Sequence, residues 1–202
     1  MRIIITIVIV LALGFVAWKA LMTKPPQDLP VAQVNENNGI EGSTTTPAAN
    51  PSTLSGKVNR ELSSASFVGY GPGKEHPANF AWTSNLVVNN GILSGTATFD
   101  TASVKTDNAG LDKHLCAEDF FNCAVNKQVV FTVTNATPTQ VTGTLAFAGK
   151  THTVTFPVAL NGNTITADFR LDRTPFNFKY TIANAAAVDK EVRATLKLVV
   201  QS

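Results

Sequence analysis

The histidines are the first residues to test for chemistry, because an imidazole can bind a metal ion or transfer a proton. The chain has three of them, His76, His114 and His152, and they are far apart in the sequence. His114 and Glu118 are four residues apart, so both could face one metal ion if the segment is helical. A zinc site takes three or four ligands, however, and the sequence offers two. The spacing favours a role on the surface or at a cavity rim.

Motifs of catalysis are missing from the sequence. It contains no Gly-x-Ser-x-Gly elbow, no P-loop and no Gly-x-Gly-x-x-Gly turn. Cys116 lies two residues from His114, and side chains with that spacing on a helix point to different faces. We therefore predict that the chain is not an enzyme and has no metal site and no cofactor of its own.

Cys116 and Cys123 are the two cysteines of the chain. On one continuous helix their Cα atoms would be ~10.5 Å apart, whereas a disulfide needs a separation of about 4.4–6.8 Å. A bridge therefore requires the helix to end near Phe121 or Asn122. An oxidising compartment would favour such a local disulfide. Two free thiols are the alternative, and a redox role would prefer Cys-x-x-Cys spacing.

Arg170 and Arg173 are expected on opposite faces of the same predicted strand. Arg170 alternates with apolar residues, so we expect it to face solvent. Arg173 lies on the same face as Phe169, and an inward arginine is costly unless it is paired. It is therefore a candidate to bind a phosphate or carboxylate head group. The other interpretation gives it a structural partner, Asp172 or Asp168.

Alternating apolar and polar residues predict the strands that position these groups. Turn markers containing Gly separate the alternating runs. Such strands at short, regular spacing predict an antiparallel sandwich or barrel of six to eight strands. The runs are 141–147, 154–158, 165–171 and 194–200, and the turns are 89–91, 148–150 and 161–163.

One segment departs from this alternation. Leu111, Leu115 and Phe120 have helical spacing with charges between them, and Asp107 or Asn108 could cap the helix. The pattern predicts one short helix over residues 111–121, which would plug or flank the mouth of a barrel.

The N-terminus predicts a membrane anchor in residues 1–22. An apolar run from Ile3 to Trp18, extended by Leu21 and Met22, reaches the length of a spanning helix. A cleaved secretory signal is the alternative, and with either one the rest of the chain leaves the cytoplasm. We expect a location at the bacterial inner membrane with the domain in the periplasm, or secretion if the segment is cleaved.

Residues 23–53 predict a flexible linker, and residues 54–202 the folded domain. The linker contains five of the ten prolines and has too little apolar surface to offset the entropy of ordering. The net charge is only +2 and no stripe of Lys and Arg is present, so we expect no nucleic-acid partner.

Four segments in order resemble the YceI-like family. TFDTASVKTDNAGLDKHLCAEDFF (98–121) is similar to its signature of a Ser-Val-x-Thr step, a His-Leu helix and a Phe-Phe pair. VTGTLAFAGKTHTVTFPV (141–158) resembles the central hairpin, and FRLDRTPFNFKY (169–180) the late Arg-x-x-Phe strand. SASFVGYGPGKEHPANF (64–80) looks like the opening strand and loop. The segments lie in the family's order within residues 54–201, the part of the chain that the resemblance covers.

The resemblance implies an all-β fold: an extended, eight-stranded, antiparallel, lipocalin-like barrel with one short helix, here preceded by a transmembrane helix. It also implies a lipid-binding, polyisoprenoid-binding role in the periplasm, with an isoprenoid lipid or a quinone bound inside. The resemblance places His114 where the helix meets the barrel, at a ligand head group. The expected ligand-binding residues are Phe67, Phe80, Trp82, Phe99, His114, Phe120, Phe121, Phe131, Phe147, Phe156, Phe169, Arg173 and Phe176.

Two functions remain open at this point. The first is a membrane-anchored periplasmic protein that holds an apolar chain in its barrel without catalysis. The second is a stalked β-sandwich that acts as a structural or protein-interaction module, with aromatic residues such as Phe67, Phe131 and Phe156 filling a solid core. The sequence leaves the formation of a homodimer open.

Overall fold

The computed structural model describes residues 23–36, 53–176 and 188–202 of the chain. These residues form two antiparallel sheets. The first has the order β1 (Gln33–Glu36), β11 (Lys150–Pro157), β10 (Gln140–Phe147), β9 (Gln128–Thr137), β7 (Thr96–Asp100) and β4 (Trp82–Ser84). The second has the order β12 (Ala159–Asn161), β13 (Thr164–Asp172), β14 (Glu191–Gln201), β2 (Gly56–Gly71), β3 (Lys74–Asn79) and β8 (Lys105–Thr106). A short hairpin of β5 (Val87–Asn89) and β6 (Ile92–Ser94) pairs with β2.

The two sheets curl around one apolar interior. On one side the chain passes directly from β3 to β4, which belong to different sheets, through Phe80 and Ala81. On the other side β1 pairs with β11, while the residues just before β1 bond to β13. The Ala32 amide donates to the Arg170 carbonyl and the Arg170 amide donates to the Pro30 carbonyl, each at 2.8 Å. The sheets therefore follow one another around the interior on both sides.

The predicted alternation and turns are confirmed. On β13 the inward Ile165, Ala167 and Phe169 are buried, and the residues between them are more exposed. The three predicted turns occur between β5 and β6, β10 and β11, and β12 and β13. At the first, Asn90 and Gly91 both have positive φ, of 50° and 78°, which is the geometry that joins two twisted strands through two residues. The described residues form fourteen strands rather than six to eight, because one or two residues divide some longer strands in two, as Gly95 does between β6 and β7, and because several strands are very short.

The predicted helix is present but shorter than expected. Helix α1 spans Ala109–Leu115, and Asn108 caps it by accepting hydrogen bonds from the amides of Gly110 and Leu111. The prediction that it continues to Phe121 is wrong. The chain turns back after Cys116 so that the Phe121 amide reaches the Leu115 carbonyl at 2.9 Å. Two short 3-10 helices, Thr101–Ser103 and Thr174–Phe176, complete the helical elements of the described residues.

Residues 23–36, which we call the strap, correct the prediction of a flexible linker over residues 23–53. They lie against both sheets and contribute β1. The backbone of the strap can be ordered because its amides and carbonyls form hydrogen bonds with the free edges of two strands. The composition of the segment does not reveal that such edges are available. Residues 37–52 and the predicted anchor, residues 1–22, lie outside the described residues. Within residues 23–36, 53–176 and 188–202, no helix is long and apolar enough to cross a membrane.

The two ends of the molecule differ. The helix end carries α1, the β2–β3 turn and the β10–β11 turn, since Lys74 pairs with Asp107 just before α1 and Phe147 packs on Phe121 just after it. The opposite end carries the turn of the β5–β6 hairpin and the turns after β9 and β12. These two names are used below to locate the site.

Candidate functional site

A cavity of about 300 Å³ lies between the two sheets. Its lining consists almost entirely of aromatic and aliphatic side chains contributed by both sheets and by the segment after α1. The cavity is inconsistent with the solid core expected for the β-sandwich alternative, since Phe67, Phe131 and Phe156 line it rather than fill the interior. The lining residues include Phe67, Phe80, Trp82, Phe99, Phe120, Phe121, Phe131, Phe147, Phe156, Phe169, Arg173 and Phe176.

A continuous group of aromatic rings forms the helix-end part of the lining. The rings of Phe67 and Phe80 stack with centroids 5.2 Å apart. Phe121 meets Phe80 edge-on at 5.4 Å and Phe147 edge-on at 5.8 Å. Offset-stacked and edge-to-face arrangements are the ones that aromatic quadrupoles favour. These rings therefore hold each other in place around the cavity without a polar group.

A second aromatic group lies behind the strap, where the two sheets meet. Phe156 of β11 stacks on Phe169 of β13 with centroids 4.4 Å apart. Phe131 of β9 is 5.6 Å from Phe156. Gly143 on the neighbouring strand makes room for the Phe131 ring, because a Cβ atom built there would overlap that ring and the Thr132 carbonyl. This group is a side wall of the cavity.

Arg173 is the one charged side chain among the described residues that line the cavity. It is 8 % exposed. Its Nε donates to the Asp189 carbonyl at 2.9 Å, and its Nη2 donates to the carbonyls of Val188 and Asp189. The predicted structural partners are wrong, because Asp172 pairs with Lys190 and Asp168 pairs with Arg193. Backbone carbonyls, which carry no pattern in the sequence, take their place.

Arg170 corrects a second expectation. Its side chain points to the outer face as predicted, but it is covered rather than exposed to solvent. It pairs with Glu191 at 2.9 Å, where the two side chains are only 12 % and 15 % exposed. Its guanidinium also donates to the Leu29 carbonyl at 3.1 Å and to the Gln27 side chain at 3.0 Å. Arg170 thus fastens the strap to β13.

The two cysteines form the predicted disulfide. The Cα atoms of Cys116 and Cys123 are 4.9 Å apart, and no cysteine of the described residues is free. The disulfide closes a short loop that contains Phe120 and Phe121, both of which line the cavity.

Asp112 connects helix α1 to β8, since its carboxylate accepts hydrogen bonds from the Thr106 amide and hydroxyl at 2.7 Å. Those bonds hold the pKa of the Asp112 carboxyl below its usual value.

The three histidines occupy three separate environments. His114 is on the exposed side of α1, with its ring 4.8 Å from Phe120, and it does not line the cavity. His76 lies 3.2 Å from Asp107 on the surface. His152 is buried, with Nε2 3.0 Å from the Pro175 carbonyl and the ring beside Phe176. In the part of the chain that the structure describes, no three His, Cys, Asp or Glu side chains are grouped to hold a metal ion.

Every predicted ligand-binding residue except His114 therefore faces the cavity, and a ligand-binding role for each stays a prediction. The sequence analysis singled out aromatic residues and missed the aliphatic ones that complete the lining. The alternation of the strands contained most of that signal, because the missed residues lie on the inward face of a strand or just beside one, except Leu115, which lies at the end of α1. These residues include Leu86, Leu93, Leu115, Leu145, Leu171, Val188, Val192 and Leu196.

Comparisons with known proteins agree with this architecture. The YceI-like domain model matches residues 39–200, which begin after the strap. A UPF0312 protein of Staphylococcus epidermidis is 39% identical over 70 residues, which are 35% of this chain and 41% of that protein. The chain thus matches less than half the length of this curated relative.

Two solved structures share the fold. BcnA of Burkholderia cenocepacia has a TM-score of 0.61 at 24% sequence identity, covering 71% of this chain and 99% of that one. A polyisoprenoid binding domain from Saccharophagus degradans, implicated in plant cell wall breakdown, has a TM-score of 0.53 at 15% identity. That match covers 72% of this chain and 98% of the domain. At these identities the likeness concerns the fold alone.

Proposed function

This chain belongs to the YceI-like family, and we propose that it is a non-catalytic lipid-binding protein that holds an isoprenoid-type or similar apolar chain inside a lipocalin-like barrel. The observation that carries the proposal is the cavity of about 300 Å³ with its nearly apolar lining. Ligand pockets have volumes of about 300–1,000 Å³ and are lined mainly by hydrophobic and aromatic side chains. The polyisoprenoid binding domain with the same fold is consistent with this ligand class.

The strand order supports a barrel of eight walls. Six walls are single strands, namely β2, β9, β10, β11, β13 and β14. The other two are each formed by two successive strands, β3 with β4 and β6 with β7. Eight antiparallel strands enclose a space that holds side chains or one small ligand. The strap lies where β11 and β13 are not hydrogen-bonded to each other, so it completes the ring there.

The lining favours a ligand with a long apolar part and at most a small anionic head. The Phe, Leu and Val side chains of the lining offer dispersion contacts and no hydrogen bonds. Arg173 is the cation beside which a phosphate or carboxylate could lie, although its described hydrogen bonds already hold residues 188 and 189 in place. The volume is at the lower end of the range for ligand pockets, which fits one chain rather than several.

We further propose that residues 1–22 anchor the protein in the bacterial inner membrane, with the barrel in the periplasm. The apolar run in these residues is the support for the anchor. The disulfide supports an oxidising compartment, because such bonds persist outside the cytosol. A cleaved signal would instead give a secreted protein with the same barrel, and the mass of the mature chain separates the two.

A pair of matched variants tests the cavity as the binding site. Ala65 lines the cavity, whereas the adjacent Ser64 is exposed on the other face of β2. Ala65→Phe fills space that the ligand would occupy, so we expect it to reduce uptake of a fluorescent polyprenyl lipid by about tenfold or more, equivalent to about 1.4 kcal/mol. Ser64→Phe adds the same ring outside and should bind as the unchanged protein does. Equal uptake by the two variants would place the lipid somewhere else.

A further inference from the structure

The strap is fixed to the helix end of the barrel at its very first described residue. The Thr23 amide donates to the Gly71 carbonyl at 3.1 Å. The Thr23 hydroxyl lies 2.8 Å from the same carbonyl and 2.7 Å from the Lys74 carbonyl. Gly71 and Lys74 are the two ends of the β2–β3 turn. Pro25, two residues further on, is fully buried. The chain therefore reaches the barrel at the helix end and is held there.

The accessible part of the cavity is at the same end. At the opposite end the lining residues Leu86, Leu93 and Val141 are buried, at 5 %, 6 % and 1 % exposure. Val88 and Val200 pack beyond them at 0 % and 2 %, outside the lining, and fill that end. At the helix end the lining residues Phe121 and Phe147 are also buried, but four aliphatic ones beside them retain partial exposure: Leu115, Leu171, Val188 and Val192. These four residues are the ones by which the described lining reaches the surface at the helix end.

We propose that the helix end docks on the surface of a lipid bilayer and that the strap holds it there, so that lipid exchanges directly between the bilayer and the cavity. The inference rests on the anchor in the proposed function. Thr23 follows the predicted span directly, and even if the span ends at Trp18, the five residue steps from there to Thr23 reach at most ~18 Å. Strand β2 bulges at residues 60–63, and its remaining residues extend about 40 Å from that point toward the opposite end.

The tether, rather than charge, sets this orientation. The helix end carries both cations and anions, and several of them neutralise each other. Lys74 pairs with Asp107, Lys105 with Asp112, and Lys190 with Asp172. A surface of paired charges gives little attraction to an anionic membrane. The orientation should therefore be the same on uncharged and anionic bilayers and insensitive to salt.

Two fluorescent probes test the orientation in the full chain reconstituted in phosphatidylcholine vesicles. Val125, at the helix end, is 72 % exposed, and Ile92, in the hairpin at the opposite end, is 40 % exposed. Val125→Cys and Ile92→Cys are labelled separately, with the Cys116–Cys123 disulfide left oxidised. Lipids that carry a quencher on the head group should quench the Val125 probe at least about fivefold more strongly, given the length of the strands between the ends. Equal quenching, or stronger quenching at Ile92, would overturn the proposal.

Variants that loosen the strap add a second readout. Thr23→Ala combined with Arg170→Ala removes the side-chain bonds that hold the strap at both its fixed points. The difference in quenching between the two probes should then fall by about half or more, since the flexible chain lets the barrel tumble. Arg193→Ala is the matched control, because Arg193 lies opposite Arg170 in the strand register and bonds to Asp168. If Arg193→Ala reduces the difference in quenching between the two probes as much as the strap variant does, the role of the strap is overturned.

Mass spectrometry of the same preparation separates this proposal from the function on which it rests. Bound lipid without a difference between the probes overturns the docking and leaves lipid binding intact. A difference between the probes without bound lipid overturns lipid binding and leaves the docking. A chain mass that lacks the N-terminal residues overturns the docking, because the tether is then removed.

Discussion

The wall formed by β9, β10 and β11 and the strap bound the same cavity, but they are built by different means. In the wall, β10 and β11 pair without interruption from Gln140 with Pro157 to Phe147 with Lys150, and their inward residues alternate. Strand β9 keeps this alternation except for one register shift opposite Thr142 and Gly143. The strap pairs over four residues of β1 and depends otherwise on the contacts of Arg170 and Thr23. The wall is specified by a repeating pattern that tolerates single changes in register poorly, whereas the strap is specified by a few particular groups.

This difference decides how far the sequence predicts the molecule. Period-two alternation placed the strands around Val154, Ile165 and Leu196 on the correct faces, and the turn residues marked their ends. Asn108 was among the expected helix caps. The same reasoning predicted a flexible segment where the strap lies, because the partners of Pro30 and Ala32 are backbone groups more than 130 residues away.

The site divides in the same way. Inward aromatic residues follow from alternation once a barrel is assumed, so their positions around the cavity could be predicted. The contacts of Arg173 and the burial of His152 depend on loops that approach from other elements, and no local pattern records them. Helix α1 was predicted too long because the chain turns back directly after Cys116 to bring Cys123 beside it, and the spacing of the apolar residues does not record that turn.

The largest effect should come from the wall. Phe156→Ala removes the ring that stacks on Phe169 and contacts Phe131. We expect the free energy of unfolding to fall by about 3–5 kcal/mol, as for other buried phenylalanines. Denaturant unfolding followed by circular dichroism measures it. Val125→Ala, at an exposed position, is the control and should change the value by less than about 0.5 kcal/mol. A loss below about 1 kcal/mol for Phe156→Ala would mean that this wall is not packed as described.

The disulfide should have an intermediate effect. Replacing Cys116 and Cys123 together by Ser removes a covalent constraint on the unfolded chain, which for a short loop is worth about 2–3 kcal/mol. Ligand affinity should fall as well, because Phe120 and Phe121 lie in that loop and line the cavity. Thermal unfolding and lipid titration measure the two losses. Unchanged lipid affinity in a folded variant would exclude the loop from the site.

Loss of the strap contact should cost less. Arg170→Ala removes the ion pair with Glu191 and the hydrogen bonds to Gln27 and Leu29. These contacts lie on the outer face, where an ion pair contributes about 0–1 kcal/mol and a hydrogen bond about 0.5–1.5 kcal/mol net, so we expect a total loss of about 1–2 kcal/mol. Limited proteolysis should cut the strap faster while β10 and β11 stay intact. Cleavage of wall and strap at the same rate would show that the two regions do not behave independently.

The smallest effect concerns the outer face of β13 and depends on pH. Hydrogen bonds from the Arg193 guanidinium lower the pKa of Asp168 relative to its usual value. The folded state therefore gains stability from this carboxylate above the pKa of the unfolded chain and loses it as the pH falls through the folded pKa. Comparing unfolding curves of the unchanged protein and Asp168→Asn between neutral and acidic pH measures this. The gap between them should narrow on acidification, and a constant gap would remove Asp168 from the account.

The central claim is that the barrel holds a lipid, and native mass spectrometry of the gently purified full chain tests it most directly. We predict a discrete additional mass, on the order of several hundred daltons for a single chain in a pocket of this size, which is lost when the protein is denatured. A bare protein mass before denaturation, together with no uptake of added polyprenyl lipid, would contradict the account.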